Sequence, residues 1–256
     1  MTISVILPVL DERDELPKTL KDLANVLPGA EVIVSDGGSR DGTPEWVRGQ
    51  SAIRMVTSAR GRGPQMNAGA SAAHGDTLLF LHADCRLPSE AEAVMQAALA
   101  DPSVVSGAFQ VRFPADCPPA LHLTAQLING RSRFCREATG DQAIFVRRAA
   151  FEAVDGFPDW PLFEDFALVA RLKRLGRFQI LSQTVTLSAR RWEAYGVGRT
   201  NALMCLLYVG YRLRIPPATL KRAFADARLD AEGVKNHAIA ATPLSPEHEP
   251  SDSNPL

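Results

Sequence analysis

Four short apolar runs in the first third of the chain alternate with segments whose apolar residues follow helical spacing. The clearest helical segment begins near Leu16, where Leu16, Leu20 and Leu23 would bury a single stripe. A repeated strand–helix order favours right-handed crossovers and parallel strands. We therefore expect an α/β fold whose Rossmann-like, mostly parallel sheet is flanked by helices. The predicted strands are residues 3–7, 31–35, 53–57 and 77–81.

The fourth predicted strand is followed by an acid, Asp84. The apolar run before it is uninterrupted, which is typical of a strand buried on both faces. A carboxylate at the carboxyl end of such a strand enters the crevice where open α/β sheets bind ligands, and a buried acid needs a cation. The natural partner is a hard divalent ion that also holds a phosphate-bearing substrate. The alternative is that Asp84 caps the next helix, but Ser89 and Glu92 have the spacing of a capping box for that helix.

Acidic and basic side chains also follow the other three strands. Asp11 and Glu12 follow the first strand, and Asp36 follows the second. The loop after the third strand carries Arg60 and Arg62. One Asp in a turn more often bonds its own backbone, but the carboxyl ends of parallel strands share one edge of the sheet. Acids suit the base, ribose and metal of a nucleotide and arginines suit its diphosphate, so the coincidence predicts a nucleotide site.

Composition excludes several classes of protein. The 256 residues are 46% hydrophobic with a formal net charge of −1, which allows a large core and argues against nucleic acid as a partner. The four cysteines are widely spaced and form no CxxC pair, which disfavours zinc and disulfides and favours a reducing compartment. The first residues lack the basic and long apolar segments of a signal peptide, so we expect a cytoplasmic protein.

The second half of the chain has a less regular pattern. Residues 104–113 and 140–146 are strand candidates, and residues 163–175 have the spacing of a helix. From about residue 243 the chain is rich in Pro, Ser and Glu, which is typical of disorder. We expect a domain over residues 1–195, a helical extension over 196–236 and a disordered tail over 237–256.

Four motifs in this order resemble those of family 2 glycosyltransferases, which have the GT-A fold. They are ILPVLDE at residues 6–12, VSDGGSRDGT at 34–43, NAGA at 67–70 and HAD at 82–84. The resemblance spans about residues 3–193, and the string from Asp36 to Thr43 is highly specific. Within the family, the chain is most similar to the small bacterial radical-SAM/selenodomain-associated transferase group. The resemblance implies metal-assisted, inverting transfer of a sugar from a nucleotide donor to an acceptor hydroxyl.

The resemblance also implies roles for residues at the strand ends. Asp11 and Glu12 match the family's acidic pair near the nucleotide. Asp36 matches the acid that binds the pyrimidine ring, which favours a UDP-type donor. Arg62 matches a basic position near the diphosphate. Asp84 matches the last acid of the DxD motif and is expected to bind Mg²⁺ or Mn²⁺.

His82 departs from the family pattern because it stands where the DxD motif has its first acid. The metal would then be held by Asp84, the donor phosphates and water, as Mg²⁺ often is. Two roles stay open for His82. It either hydrogen-bonds the ribose or a phosphate, or packs at the end of the strand.

Two adjacent acids, Glu164 and Asp165, stand at the start of a predicted helix between phenylalanines. Inverting transfer needs a general base for the acceptor hydroxyl, and an acid in apolar surroundings has the raised pKa that suits a base. The alternative is stabilisation of the helix N-terminus by negative charge, and the residues alone leave the two readings balanced. In the family an acid pair at this place holds the base, so the resemblance implies Asp165 as the base and Glu164 as its support.

Two further segments match the family less closely. Asp141 lies in a stretch that resembles the acceptor side of the site, where it is expected to contact a sugar hydroxyl; the alternative is a simple turn. Residues 188–192 (SARRW) resemble the QxxRW motif of processive members, with Ser188 in place of Gln, so processivity is not predicted. Arg191 could pair with the diphosphate and Trp192 could offer a stacking surface, against the alternative of a surface salt bridge.

The apolar segment 202–211 is flanked by basic residues. It is shorter than the roughly 20 apolar residues that span a bilayer. It could lie in a membrane interface, at the inner face of the membrane, and recruit a lipid-linked acceptor. The alternatives are packing on the domain and a homodimer contact.

Three other function classes fit the residues less well. Nucleotidylyl transfer needs a glycine-rich basic loop after the first strand, and that loop is acidic here. An NAD-dependent oxidoreductase needs G-x-G-x-x-G at the same place, which is missing. A non-catalytic nucleotide-sugar-binding module would not need the pair formed by Glu164 and Asp165, so it is the weaker alternative.

Overall fold

The computed structural model describes residues 1–224, which form a mixed α/β fold with helices flanking a central eight-stranded sheet. The predicted disordered tail over 237–256 and the last part of the predicted helical extension lie outside the described residues. Within residues 1–224, no helix combines the length and apolar character needed to cross a bilayer.

The sheet is built from strands of very unequal length. In chain order the strands are β1 (Ile3–Val9), β2 (Glu31–Asp36), β3 (Ile53–Thr57), β4 (Thr77–Phe80), β5 (Cys85–Arg86), β6 (Val104–Arg112), β7 (Ile144–Arg147) and β8 (Arg177–Leu187). Their order across the sheet is β3-β2-β1-β4-β7-β6-β8-β5.

Helices connect most of these strands, and a 3₁₀ turn over Gly140–Gln142 leads into β7. The α-helices are α1 (Leu16–Val26), α2 (Thr43–Arg48), α3 (Arg62–Ala72), α4 (Ala91–Leu99), α5 (Pro119–Cys135), α6 (Arg148–Ala153), α7 (Glu164–Leu172), α8 (Arg190–Tyr195) and α9 (Val197–Arg212). A further helix starts at residue 217 and continues to the end of the described residues.

The first half of the sheet is parallel, as predicted from the strand–helix order. β1 pairs in parallel with β2 and β4, and β2 pairs in parallel with β3. The second half is mixed, because β7 runs antiparallel to both β4 and β6, and β5 runs antiparallel to β8. Since β6 and β8 are parallel, four of the seven pairings are parallel.

Strand β4 is buried on both faces, as its apolar run predicts. Leu79 faces the larger core cluster, while Leu78 and Phe80 face a second cluster on the other side of the sheet. The ring of Phe80 lies 5.2 Å from that of Phe151 and 4.8 Å from that of Phe157, in an edge-to-face contact with Phe157. Full burial of side chains of this size stabilises the fold by about 1.5–3 kcal/mol each. This packing holds the strand that leads into Asp84.

The start of α4 differs from the prediction. The capping box of Ser89 and Glu92 does not form, because α4 starts at Ala91 and the Ser89 hydroxyl donates to the neighbouring Glu90 carboxylate instead. Asp84 does not cap α4 either, so that alternative is wrong as well. Helix α3 starts at Arg62, so an arginine lies in its first turn.

Other predicted boundaries shift by a few residues. The strand candidate over 140–146 divides into the 3₁₀ turn and β7, and the predicted helix over 163–175 is the shorter α7. Helix α5 and strand β8 were not predicted. Strand β6 matches the candidate over 104–113 closely.

Gly107 in β6 allows a close approach of neighbouring elements. A Cβ atom there would lie 2.5 Å from Cζ of Phe145 and would also collide with the backbone oxygen of Gln179. We expect Gly107→Ala to lower the free energy of unfolding by about 1–3 kcal/mol, as overpacking does. Urea denaturation measures this change.

Gly130→Ala is the matched control. No neighbouring atom lies within 4 Å of a Cβ atom at this helical position. Because alanine favours a helix over glycine, this variant should be about 1 kcal/mol more stable than the parent. Equal effects of the two substitutions would contradict the packing around Gly107.

Candidate functional site

The loops that follow β1 and β2 are tied together by the acids predicted to bind the nucleotide. The buried carboxylate of Asp36 accepts hydrogen bonds from the amides of Gly38 at 2.9 Å and Ser39 at 3.2 Å. The carboxylate of Asp11 accepts from the amide of Arg40 at 2.7 Å, and the amide of Asp11 donates to Oγ of Ser39 at 2.9 Å. Asp11 and Asp36 therefore stiffen the edge of the sheet where the nucleotide was predicted.

Gln65 holds the ends of the same two strands and was not identified from the sequence. Its buried side-chain amide donates to the backbone oxygen of Val9 at 2.6 Å and to that of Ser35 at 3.0 Å. A Cβ atom at position 37 would lie 2.9 Å from this amide, so Gly37 is needed for the approach. These bonds give β1 and β2 a common, fixed carboxyl edge.

His82, Asp84 and Cys85 form a cluster beyond the end of β4, with one potential ligand atom of each within 4.8 Å of the others. Nε2 of His82 is buried and has no hydrogen-bond partner among the described residues. It points toward Gly140, where a Cβ atom would lie only 2.9 Å away. Burial, with the charge of Arg62 next, lowers the pKa of His82 to about 4, so its imidazole is neutral near pH 7 and can donate a lone pair.

This cluster fits a divalent ion through two of its three members. The Asp84 carboxylate is a ligand for Mg²⁺ or Mn²⁺, and the orphaned nitrogen of His82 can be a second. Burial raises the pKa of the Cys85 thiol, and the charges of Asp84 and Asp141 raise it further. Because Mg²⁺ and Mn²⁺ prefer oxygen ligands over sulfur, Cys85 stays outside the ligand set.

Arg190 bridges two of the acids. Its Nη2 atom lies 3.1 Å from Oε2 of Glu12 and 3.4 Å from Oδ2 of Asp84. Burial raises the pKa of Glu12, and the hydrogen bond from Arg190 opposes that rise. Arg191 was predicted to pair with the donor diphosphate, whereas no role for Arg190 was predicted. The two arginines are adjacent in the SARRW segment, and their order alone does not show which of them faces the acids.

Trp192 has surroundings that differ from the prediction, whereas Arg191 stays close to the predicted site. The charge of Arg191 lowers the pKa of His82, and its guanidinium lies 5.7 Å from the centre of the Trp192 ring. Trp192 is buried, with its indole N–H donating to Asn201 at 2.9 Å and its ring packed against Phe113 at 4.9 Å. The structure therefore places Trp192 in the core beneath the site and not on its surface.

The two arginines predicted to bind the diphosphate, Arg60 and Arg62, differ in their distance from the cluster. Arg60 is exposed before the start of α3, and the structure does not bring it to the acids. Arg62 opens α3, and its charge lowers the pKa of both His82 and Asp165. Of these two predicted diphosphate ligands, Arg62 is the one that lies near the cluster.

Asp165 and Glu164 are both buried at the start of α7. Oδ2 of Asp165 accepts a hydrogen bond from the amide of Gly140, and Oδ1 accepts from that of Phe166, both at 2.7 Å. Burial, followed by the negative charge of Glu164, raises the pKa of Asp165 from 3.8 to about 7. Asp165 is therefore an acid that gains and loses its proton near neutral pH.

The turn Gly140–Gln142 connects this acid pair to the cluster of His82 and Asp84. Gly140 contacts Asp165, as described above, while the backbone oxygen of Asp141 accepts a weak hydrogen bond from the Cys85 thiol at 3.8 Å. The Asp141 carboxylate accepts from the hydroxyl of Thr139, and its charge raises the pKa of His82. Asp141 therefore lies between the two groups of acids.

Comparison with known proteins identifies the family. Residues 4–140, more than half of the chain, match the family model described as glycosyl transferase family 2. The chain belongs to this family. The resemblance found in the motifs is thereby confirmed at the level of the family, and its GT-A fold is that of the solved structures described next.

One curated relative and two solved structures show the extent of the likeness. The 4,4'-diaponeurosporenoate glycosyltransferase of Staphylococcus haemolyticus is 36% identical over 104 residues, which are 37% of this chain and 28% of that protein. The mannosyltransferase PcManGT from Pyrobaculum calidifontis, in complex with GDP-Man and Mn²⁺, superposes with a TM-score of 0.66 at 23% identity. That superposition covers 94% of this chain and 76% of PcManGT.

The second structure is S. aureus TarS 1-349 in complex with UDP-GlcNAc. It superposes with a TM-score of 0.57 at 20% identity and covers 73% of this chain and 59% of TarS 1-349. At such identities the likeness establishes the fold. The chain spans less than a third of the curated relative's length, so substrates are argued below from this chain's own residues.

The raised pKa of Asp165 makes stability depend on pH. Between pH 3.8 and about 7 the folded chain holds a proton that the unfolded chain releases, so this group's contribution to stability is complete at low pH and is lost as pH rises through 7. In Asp165→Asn this loss disappears. We expect the parent's free energy of unfolding to fall relative to that of the variant from pH 4 to 7, and this difference to level off above pH 7, as measured by urea denaturation.

Glu164→Gln is the control for the cause of this shift. Without the Glu164 charge the pKa of Asp165 is lower, so the pH-dependent loss ends at a lower pH. Parallel stability curves for the parent and Asp165→Asn across this range would contradict the protonation of Asp165.

Proposed function

We propose that this chain is a glycosyltransferase that moves a sugar from a nucleoside diphosphate donor to an acceptor hydroxyl with inversion. The supporting observation is that a buried acid with a pKa of about 7, Asp165, lies across the turn of Gly140 from the cluster of His82 and Asp84. A single displacement at an anomeric carbon requires a proton acceptor for the acceptor hydroxyl. It also requires a nearby group of residues that stabilises the departing diphosphate, here through a bound divalent ion.

Asp165 acts as the general base in this proposal. A base works best when its pKa is close to the working pH, and at neutral pH a large share of Asp165 is ionised. The acceptor hydroxyl gives its proton to the Asp165 carboxylate while its oxygen bonds to the anomeric carbon, and the bond from that carbon to the diphosphate breaks. Glu164 supports the base, since its negative charge raises the pKa of Asp165.

The donor diphosphate lies among the positive charges in this proposal. Arg62, Arg190 and Arg191 are the arginines near His82 and Asp84. Asp84 and His82 would hold Mg²⁺ or Mn²⁺, which supplies positive charge to the departing diphosphate. Since Arg190 pairs with Asp84, it stands close to the same charge.

The nucleotide lies against the stiffened edge formed by Asp11, Glu12 and Asp36. A UDP-type donor is favoured by the match of Asp36 to the acid that binds a pyrimidine in this family. The two solved structures hold UDP-GlcNAc and GDP-Man, so both donor classes occur on this fold. The radical-SAM/selenodomain subgroup, the cytoplasmic location and a homodimer through residues 202–211 stay predictions.

Asp84→Ala tests the donor site. In the parent, UDP with Mn²⁺ should raise the melting temperature more than UDP alone, because a ligand of the folded state stabilises it by mass action. Asp84→Ala should lose the Mn²⁺-dependent part of this shift. Asp141→Ala is the control, because Asp141 is a neighbouring acid outside the proposed metal ligands. This variant should keep the Mn²⁺-dependent shift. If Asp84→Ala keeps the full Mn²⁺-dependent shift in melting temperature, Asp84 is not a metal ligand.

Asp165→Asn separates donor binding from transfer. Asparagine has nearly the same shape but cannot accept the proton, so the affinity for UDP and Mn²⁺ should stay within about twofold while transfer falls by about 10²–10⁴. Isothermal titration measures the first quantity, and release of UDP from UDP-sugars with simple alkyl glycoside acceptors measures the second. Normal transfer by this variant would place the base elsewhere. A parent that binds UDP and never transfers a sugar would instead be a nucleotide-sugar-binding module.

A further inference from the structure

Helix α5 carries an exposed apolar stripe. Leu123, Leu127 and Phe134 follow helical spacing, and Leu127 is 64% and Phe134 93% exposed. The buried face of the same helix holds Leu121, Ala125 and other small or apolar residues against the domain. The helix is therefore apolar on its outer as well as its inner side.

Helix α9 carries a second stripe of the same kind. Leu206, Val209 and Leu213 at its carboxyl end are spaced by three and four residues, and Leu206 is 69% and Leu213 71% exposed. The inward side of this helix includes Leu207 and Gly210, which are buried. Stripes of this size on a protein surface mark sites of interaction.

The two helices lie side by side and run in the same direction. Near their amino ends, Asn201 of α9 donates to Oγ1 of Thr124 of α5 at 2.7 Å. Beyond the carboxyl end of α5, Glu137 accepts hydrogen bonds from the hydroxyl of Tyr208 at 2.9 Å and from Arg212 at 3.1 Å. Contacts that keep this order along both helices define a parallel pair.

Both stripes face the same side of this pair. Each residue advances a helix by about 100°. Viewed down the helix axis, the α5 stripe is rotated by about 60–100° from Thr124, and the α9 stripe is rotated by about 80–140° from Asn201 in the opposite direction. Thr124 and Asn201 mark where the two helices touch. When two parallel helices have stripes rotated in opposite directions from that contact, both stripes face the same side of the pair. We call this the α5–α9 surface, formed by Leu123, Leu127, Phe134, Leu206, Val209 and Leu213.

The two segments that form the α5–α9 surface are rich in basic residues. Residues 119–136 contain Arg131, Arg133 and Arg136 and no acid. Residues 197–224 contain five basic residues and again no acid, although the whole chain has a net charge of −1. The nearest acid, Glu137, is already paired with Arg212. An apolar stripe in a basic, acid-free segment is complementary to a layer of apolar chains beneath anionic headgroups.

We propose that the α5–α9 surface docks on a membrane that contains anionic lipids. The side chains of Phe134, Leu206 and Leu213 enter the interface, and the exposed Arg136 and Arg214 stay at the level of the headgroups. A second copy of the chain fits this surface less well, because a two-fold contact would bring the same basic segments together.

This docking also names the class of acceptor, a conclusion that rests on the proposed function. The ring of Tyr211, from the same end of α9, lies 4.8 Å from that of Phe163 and 5.4 Å from that of Phe166, which flank the acid pair. The charge of Asp165 raises the pKa of Tyr211, although burial and Glu137 raise it more. Helix α9 therefore carries the α5–α9 surface on one side and, on the other, a ring that packs against the residues flanking the base. The acceptor hydroxyl belongs to a molecule anchored in the bilayer.

Vesicle sedimentation of the full chain tests the docking. The parent should bind vesicles of phosphatidylcholine mixed with phosphatidylglycerol, should not bind pure phosphatidylcholine, and should bind more weakly as salt is raised. The double variant Phe134→Ser and Leu213→Ser should bind at least about tenfold more weakly, because each side chain loses its insertion. Phe134→Leu keeps the apolar character and should bind like the parent.

A matched pair of variants tests the charge. Arg136→Gln with Arg214→Gln should weaken binding to the anionic vesicles by about tenfold, whereas Arg48→Gln, in α2 beside the opposite edge of the sheet, should not. All these residues are exposed, so melting temperatures should match the parent. Absence of binding to anionic vesicles, or a dimer in sedimentation velocity that Phe134→Ser breaks, would overturn the proposal.

Nucleotide binding separates this inference from the proposed function. Each variant should keep the Mn²⁺-dependent melting shift with UDP, since none of the substituted residues lies in the donor site. Retained nucleotide binding without vesicle binding would overturn the docking alone. If the chain binds vesicles but neither binds a nucleotide nor transfers a sugar, the acceptor class and the proposed function are both overturned. The docking proposal is then unaffected.

Discussion

The hydrogen bond from the amide of Gly140 to the buried carboxylate of Asp165 organises the site. The glycine leaves room for the ring of His82, and the turn that it opens continues to Gln142, whose side chain donates to the backbone of Phe109 in β6 and accepts from Ser132 in α5. One short turn therefore couples the acid pair, the end of β4 and the second half of the sheet. A larger side chain at position 140 would separate these parts.

Electrostatic balance in the crevice follows from burial as much as from charge. Burial raises the pKa of Asp165 and lowers that of His82, so both groups have neutral forms available near pH 7. Arg190 instead places a positive charge between the carboxylates of Glu12 and Asp84. The site thus combines an acid that can exchange a proton near neutral pH with two acids bridged by an arginine.

The local pattern of the sequence was sufficient for the first half of the fold. Strand β3 has the predicted bounds, and β1, β2 and β4 form the predicted parallel set because each is a short apolar run between helical segments. The predicted capping box of Ser89 and Glu92 does not form, yet Asp84 does not cap α4 either. Helix α5 was missed because its exposed face is apolar, which removes the amphipathic pattern that identifies a helix.

The sequence by itself determined the α/β class, the family and the edge of the sheet where acids gather, because these depend on short-range periodicity and on contiguous motifs. Only the tertiary structure decided that Arg190 rather than Arg191 reaches the acids, that Trp192 belongs to the core, and that α5 and α9 form one surface. Arg190 lies 178 residues from Glu12 along the chain. Contacts of that kind depend on how whole helices and strands pack, and no local pattern of residues encodes their direction.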